Sequence, residues 1–158
     1  MTAFRIAPLV LLCLALAGCG GADKPRPARI LDTPQSAETR SGDLVVRAEV
    51  VRTAQLNPAM AQRYGIARSD DGAMLIVSVR KGPEGRDTSP PSSVTARYTD
   101  LQGQSHDVAL HAANTGALRD DIGTFDVSAP DTLRFEVTAT PEGAAPMTLQ
   151  FTREFPAE

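Results

Sequence analysis

The sequence predicts an all-β fold: an immunoglobulin-like antiparallel β-sandwich of about seven strands with one short inserted helix. Three observations point there. From Asp43 onward, apolar residues alternate with polar ones in short runs. Turn residues interrupt those runs at frequent intervals. One stretch, Leu56 to Gly65, carries helix signals instead.

In the first run, Leu44, Val46, Ala48 and Val50 share a face, and Val45, Arg47, Glu49 and Val51 share the other. Met74 to Val79 is a continuous apolar run of strand length, entered from the turn Asp70-Asp71-Gly72. Val94, Ala96 and Tyr98 alternate with Thr95, Arg97 and Thr99, and Gly103 marks the next turn. Val108, Leu110 and Ala112 form another apolar row. Phe125 and Val127 begin a short strand that stops at Pro130. Leu133, Phe135, Val137 and Ala139 alternate with Arg134, Glu136 and Thr138. Pro141 to Pro146 turns the chain, and Met147, Leu149 and Phe151 complete the last apolar row. The charged rows Arg47, Glu49 and Arg134, Glu136 read as a solvated face with cross-strand pairs.

The helix has a cap at each end. Asn57 accepts from the free amides at its start. Pro58 suits the first helical position, where its missing N–H has no partner to lose. Gly65 suits the left-handed stop. Met60 and Tyr64, four apart, share a face that is expected to plug one end of the sandwich.

The chain opens differently. A charged start at Arg5 precedes an apolar stretch from Ile6 to Ala17, followed by Gly18 and Cys19, which is the pattern of a secretory leader. That stretch is short of the roughly 20 residues a bilayer core demands. Leu16-Ala17-Gly18-Cys19 resembles the bacterial lipobox. The resemblance implies cleavage between Gly18 and Cys19 and a lipid on the Cys19 thiol, with acyl chains of the palmitate kind. Gly20, where an aspartate would favour inner-membrane retention, implies an outer-membrane anchor facing the periplasm. Residues 1–18 are therefore read as the leader, 19–41 as the lipidated cysteine with a Gly-, Pro- and Ser-rich tether, and 42–158 as the sandwich.

Composition narrows the function classes. The chain carries a net charge of −3, and loss of Arg5 with the leader makes it more negative. With no basic cluster, nucleic acid is not an expected partner. Cys13 and Cys19 are the two cysteines, so the folded part has no thiol and no disulfide.

From the helix onward the sequence resembles the domain-of-unknown-function 4426 family of Gram-negative secreted proteins. Leu56-Asn57-Pro58, Ala61 and the run Arg63-Tyr64-Gly65-Ile66-Ala67-Arg68-Ser69 resemble its short-helix signature. Asp100-Leu101-Gln102-Gly103-Gln104 resembles its central turn, and Phe151-Thr152-Arg153-Glu154-Phe155 its C-terminal strand. The resemblance spans roughly Gly42 to Phe155. It implies an envelope location and a compact β-rich domain, and it implies no activity. The chain departs from the family where Ala117 to Ile122 replaces an expected aromatic pair, and in its lipobox.

No catalytic constellation is legible. No Gly-x-Ser-x-Gly elbow and no phosphate loop occur. His106 and His111 are five apart, which on one strand sets them on opposite faces. Either could join Met60 or Met74 in a copper site assembled by the fold. Asp70-Asp71-Gly72 and Asp120-Asp121-Ile122-Gly123 read as turns. The connection Gly82 to Pro91 exceeds the usual loop length of about 4–6 residues and reads as mobile or partner-facing. Tyr64, Arg68, His106, Asp120 and Asp121 are the candidate ligand or partner surface. The expectation is a non-enzymatic envelope lipoprotein without cofactor or metal, held to a membrane and presenting loops or an edge to another envelope protein. A small-ligand or metal-binding domain is the alternative, and a hydrolase built from separated acids the third reading.

Overall fold

A computed structural model of the chain describes residues 36–157. The leader, the Gly18–Cys19 site and the tether as far as residue 35 lie outside the described residues. In chain order the strands are β1 (Ser36–Ser41), β2 (Leu44–Arg52), β3 (Gly72–Lys81), β4 (Ser92–Thr99) and β5 (Ser105–Asp107). They continue as β6 (His111–Thr115), β7 (Leu118–Asp126), β8 (Asp131–Pro141) and β9 (Met147–Phe155). Helix α1 (Pro58–Tyr64) lies between β2 and β3, after a 3-10 turn at Thr53–Gln55. No helix among the described residues is long and apolar enough to cross a membrane.

Two antiparallel sheets form, in the orders β1-β2-β3-β7-β6 and β5-β4-β8-β9. Setting β1 aside, these are the A-B-E-D and C′-C-F-G arrangements of the immunoglobulin-like sandwich. Strand β1 is an added hairpin arm, with Ser41 opposite Leu44 and Ser36 opposite Glu49. It occupies residues that read by composition as tether.

The core lies between the sheets. Val46, Ala48 and Val50 of β2 and Leu75, Val77 and Val79 of β3 meet Leu133, Phe135 and Val137 of β8 and Leu149 of β9. Alternation explains most of this: the inward row of each strand is apolar and its outward row polar. Strand β3 is the exception. Its outward residues Met74 and Ile76 are apolar too, and they are covered by Leu56, Ala61 and Ile66. Helix α1 therefore docks on the outer face of the first sheet.

The helix ends as read. Asn57 accepts from the Ala59 amide at 2.9 Å, Pro58 is the first helical residue, and Gly65 is left-handed with φ 66°. Such a cap stabilises a helix by about 1 kcal/mol. The expected plug of Met60 and Tyr64 is corrected: Met60 is 47% exposed. Ala61 and Leu56 make the buried contact, because the face toward Met74 is the one they occupy.

Three further readings change. The row Val108–Leu110–Ala112 is not one strand. Val108 still donates to the Ala96 carbonyl in the second sheet, at 2.9 Å. His111 already pairs with Ile122 in the first. Residues 108–110 thus carry the chain from sheet to sheet. The strand expected to begin at Phe125 begins at Leu118. Asp120-Asp121-Ile122-Gly123 is accordingly mid-strand and not a turn, with Asp120 opposite Ser78 and Gly123 opposite Leu75. Arginines neutralise the two carboxylates: Arg80 at 2.5 Å from Asp120 and Arg119 at 2.9 Å from Asp121.

Gly123 is present for space and not for turning. A Cβ there would meet the Ala109 carbonyl oxygen and Val108 Cγ1, both at 2.7 Å. The sheet-switching segment presses directly on this position. Gly123→Ala is expected to destabilise the fold by about 1–3 kcal/mol through overpacking. Urea denaturation reads the loss as a lower midpoint at unchanged slope.

Candidate functional site

Residues 53–71 form an arm over the outer face of the first sheet, and side-chain bonds to its backbone hold it. The Thr53 hydroxyl donates to the Ser69 carbonyl and accepts from the Ser69 amide, both at 3.0 Å. That staple closes sixteen residues of chain. It also explains Gly72, where a Cβ would stand 2.4 Å from Thr53 Oγ1. Arg68 donates to the Ala54 carbonyl at 2.5 Å. Arg52 donates to the carbonyls of Asp70 and Pro156 at 3.0 and 3.1 Å.

Between the arm and strands β6 and β7 runs a cleft of about 470 Å³. Tyr64, Ile66 and Ser69 line one wall; His111, Phe125 and Asp126 line the other. A second hollow of about 240 Å³ shares Tyr64 and His111 and adds Arg63, Asn114 and Ile122. Polar and apolar side chains both line the cleft, and its volume lies in the range of small-molecule sites.

Each wall is fixed from behind. Tyr64 Oη lies 2.8 Å from Thr115 Oγ1, and Thr115 donates to Asp120 at 3.4 Å. Asp120 is held in turn by Arg80, which also donates to Ser89 Oγ at 3.0 Å and the Arg119 carbonyl at 2.9 Å. The connection 82–91 is pinned by the same guanidinium, whose Nε stands 3.5 Å from Asp87. Phe125 contacts Tyr98 and Phe135, with ring centroids 4.9 and 5.6 Å away. Tyr98 stacks on His106 at 4.9 Å. The wall of the cleft is thereby continuous with the aromatic core.

His106 ends this row. Its Nε2 lies 3.0 Å from Asp100 Oδ2, and the Gln104 amide donates to Asp100 Oδ1 at 2.8 Å. These bonds, His106 first, hold the Asp100 carboxyl below its ordinary value of 3.8. Burial, followed by the nearby carboxylates of Asp100, Asp126 and Asp131, pushes the Tyr98 phenol up.

The structure divides the candidate surface read from the sequence. Tyr64 lines the cleft, and Asp120 supports it through Thr115. Arg68 is spent on tying the arm. Asp121 points inward and is buried. His106 sits on the second sheet, away from Asp120 and Asp121, while His111 belongs to the first. His111, Phe125 and Asp126 have no mark in the sequence as cleft residues. The signal that finds the other wall is the family-like run from Tyr64 to Ser69. Among the described residues no group of three or more His, Cys, Asp or Glu side chains could hold a metal. Among the described residues no histidine bonds a serine or threonine hydroxyl; His106 bonds Asp100 instead.

The family described as Domain of unknown function (DUF4426) matches residues 38–158. Among solved structures, a DUF4426 family protein from Pseudomonas aeruginosa PAO1 is similar at 25% identity and a TM-score of 0.64. The likeness covers 79% of this chain and 97% of that one. A copper-bound variant of FetP from uropathogenic Escherichia coli strain F11 is similar at 10% identity and a TM-score of 0.50, covering 77% of this chain and 95% of that one. FetP of the same strain, as isolated after expression in the periplasm, gives 10% and 0.50, with 78% and 95% covered. At that identity the likeness to FetP is one of fold alone. No curated protein matches the chain.

The lowered Asp100 value has a definite sign. Its contribution to stability is present above the ordinary value of 3.8 and is lost as pH falls through the lowered one. His106→Ala is expected to return the Asp100 midpoint toward 3.8. The stability gap between wild type and variant should then narrow as pH falls from about 4 toward about 2. Carboxyl-detected NMR titration and acid-series melting measure the two effects.

Proposed function

Because the chain belongs to the DUF4426 family, we propose that it is a non-enzymatic binding module of the bacterial envelope, with the cleft under the arm as its ligand seat. One observation carries this reading. The run that carries the family resemblance, Tyr64 to Ser69, supplies one wall of the cleft of about 470 Å³. Ile66 packs on the outer row of β3, but the core between the sheets takes no side chain from that run. Thr53 bonds its backbone at Ser69, Arg52 bonds the next carbonyl at Asp70, and Arg68 within it bonds back to Ala54. Side chains committed to shaping a surface segment fit a segment kept for recognition.

The ligand class follows from the walls. Phe125, Ile66 and Tyr64 offer apolar area, and Asp126 offers a carboxylate for an amine or a sugar hydroxyl. Copper, named for the FetP variant, is a comparison probe: His111 and Asp126 share the cleft, and two donors alone make a weak seat. The address rests on the leader and lipobox. Cys19 carries the lipid, the outer membrane is the anchor, and the sandwich hangs in the periplasm at the end of its tether. A possible protein partner belongs to the same reading.

A thermal-shift screen of the purified protein with amines, cell-wall fragments and copper salts tests the seat. A true ligand at 100 times its Kd stabilises by about 2.7 kcal/mol. Asp126→Asn and Ile66→Ala are expected to weaken its binding at least tenfold. A ligand that stabilises both variants as much as wild type, or a flat screen, overturns the cleft assignment. For the anchor, palmitate-analogue labelling should mark the wild type and not Cys19→Ser, and the variant should leave the membrane fraction. Equal labelling of both overturns it.

A further inference from the structure

Four strands stand at sheet edges among the described residues: β1 and β6 in the first sheet, β5 and β9 in the second. Proteins blunt such edges with charge, because a bare row of N–H and C=O groups recruits other strands. Strand β1 carries Glu38 and Arg40, β5 carries Asp107, and β9 carries Arg153 and Glu154. Strand β6, His-Ala-Ala-Asn-Thr, carries no carboxylate, lysine, arginine or proline.

Its register shows which backbone groups are open. Thr115 and Leu118 flank a two-residue turn in which Gly116 has φ 67°. Residues flanking such a turn exchange both hydrogen bonds, and pairs then alternate along the ladder. Thr115, Ala113 and His111 therefore spend their backbone groups on β7. Ala112 and Asn114 turn theirs to the free edge.

Beside this edge lies the hollow of about 240 Å³ lined by Arg63, Tyr64, His111, Asn114 and Ile122. Its charge is one-sided. Arg63 makes no hydrogen bond or ion pair among the described residues, no acid lines the hollow, and the acids of β7 beside it are taken, Asp120 by Arg80 and Asp121 by Arg119. A guanidinium without a counter-charge, next to an imidazole, fits a carboxylate.

We propose that the β6 edge takes up an extended, acid-bearing segment of another polypeptide as a sixth strand of the first sheet, seating an Asp or Glu side chain in the hollow against Arg63 and His111. Main-chain bonds to Ala112 and Asn114 supply affinity, and the hollow supplies selectivity for every second side chain. A second copy of this chain is the poorer occupant. Pairing β6 with itself about a two-fold axis would bring two Arg63 guanidiniums and two His111 rings toward one edge with no acid between them. The proposal rests on the reading as a binding module. It does not need the cleft ligand, which reaches Asp126 and Ile66 outside the hollow.

The test uses the whole protein and two fluorescein-labelled pentapeptides, Thr-Val-Glu-Val-Thr and Thr-Val-Lys-Val-Thr. Fluorescence anisotropy is expected to saturate with the glutamate peptide and to show at least tenfold weaker binding of the lysine peptide. Ala112→Pro removes an edge-facing N–H that serves no ladder bond, a position where a strand tolerates proline. It should melt close to wild type and lose the glutamate peptide. Arg63→Glu should reverse the preference between peptides. Asp126→Asn should bind the glutamate peptide as wild type does, which separates this site from the cleft ligand. The proposal is overturned if neither peptide binds, or if Ala112→Pro binds unchanged. A wild-type dimer that Ala112→Pro dissolves overturns it as well, because the occupant is then a second copy. Should Ala112→Pro fail to fold, a glutamate peptide methylated on alternate backbone nitrogens replaces it; equal affinity of the methylated and plain peptides overturns the proposal.

Discussion

Strand β3 has no face to give to water near its start. Leu75 and Val77 point into the sandwich, and Met74 and Ile76 point out of it, all four apolar. Burying one outward side chain of this size contributes about 1.5–3 kcal/mol. A two-sheet sandwich covers only the inner row, so the outer row needs a third layer. Helix α1 and the arm behind it are that layer. The cleft lies where the arm, having covered Met74 and Ile76, reaches across to β6 through Tyr64 and Thr115.

This constraint also explains how rigidly the arm is tied. A loop of this length has ample freedom, and its closure costs entropy that grows with length. Thr53 offsets that cost with two bonds from one hydroxyl, and Gly72 gives way to let the hydroxyl in. On the far side Arg80 does the equivalent for the connection 82–91 and the start of β7. The charged outer face is otherwise ordinary: Arg97 pairs with Glu136 at 3.3 Å, and Arg47 with Glu38.

Legibility in the sequence followed the range of the forces involved. Strands β2, β8 and β9 were readable because their alternation is local, and α1 because its caps are. The apolar run of β3 was readable as a strand, though not as one covered on both sides. Strand β1 was lost because Ser36, Glu38 and Arg40 match a tether in composition; its pairing comes from β2. The acids of β7 misled for a similar reason. Asp120 looks like a turn residue until Arg80, forty positions earlier, is set beside it. The switch at 108–110 left one trace, Gly123, and that glycine also reads as a turn. One wall of the candidate site was visible as a family-like run. The other, His111 with Phe125 and Asp126, is assembled from two strands whose neighbourhood no local pattern states.

Arg52 joins parts of the fold that are distant in the chain. Its guanidinium lies over the Phe155 ring, 5.5 Å from the centroid, while Arg153 stands at 5.7 Å. With the same group it grips the carbonyls of Asp70, at the end of the arm, and Pro156. Loss of the Pro156 carbonyl would free one of those grips. One side chain thus fastens the end of the arm to the end of the last strand, so slack at either place is passed to the other.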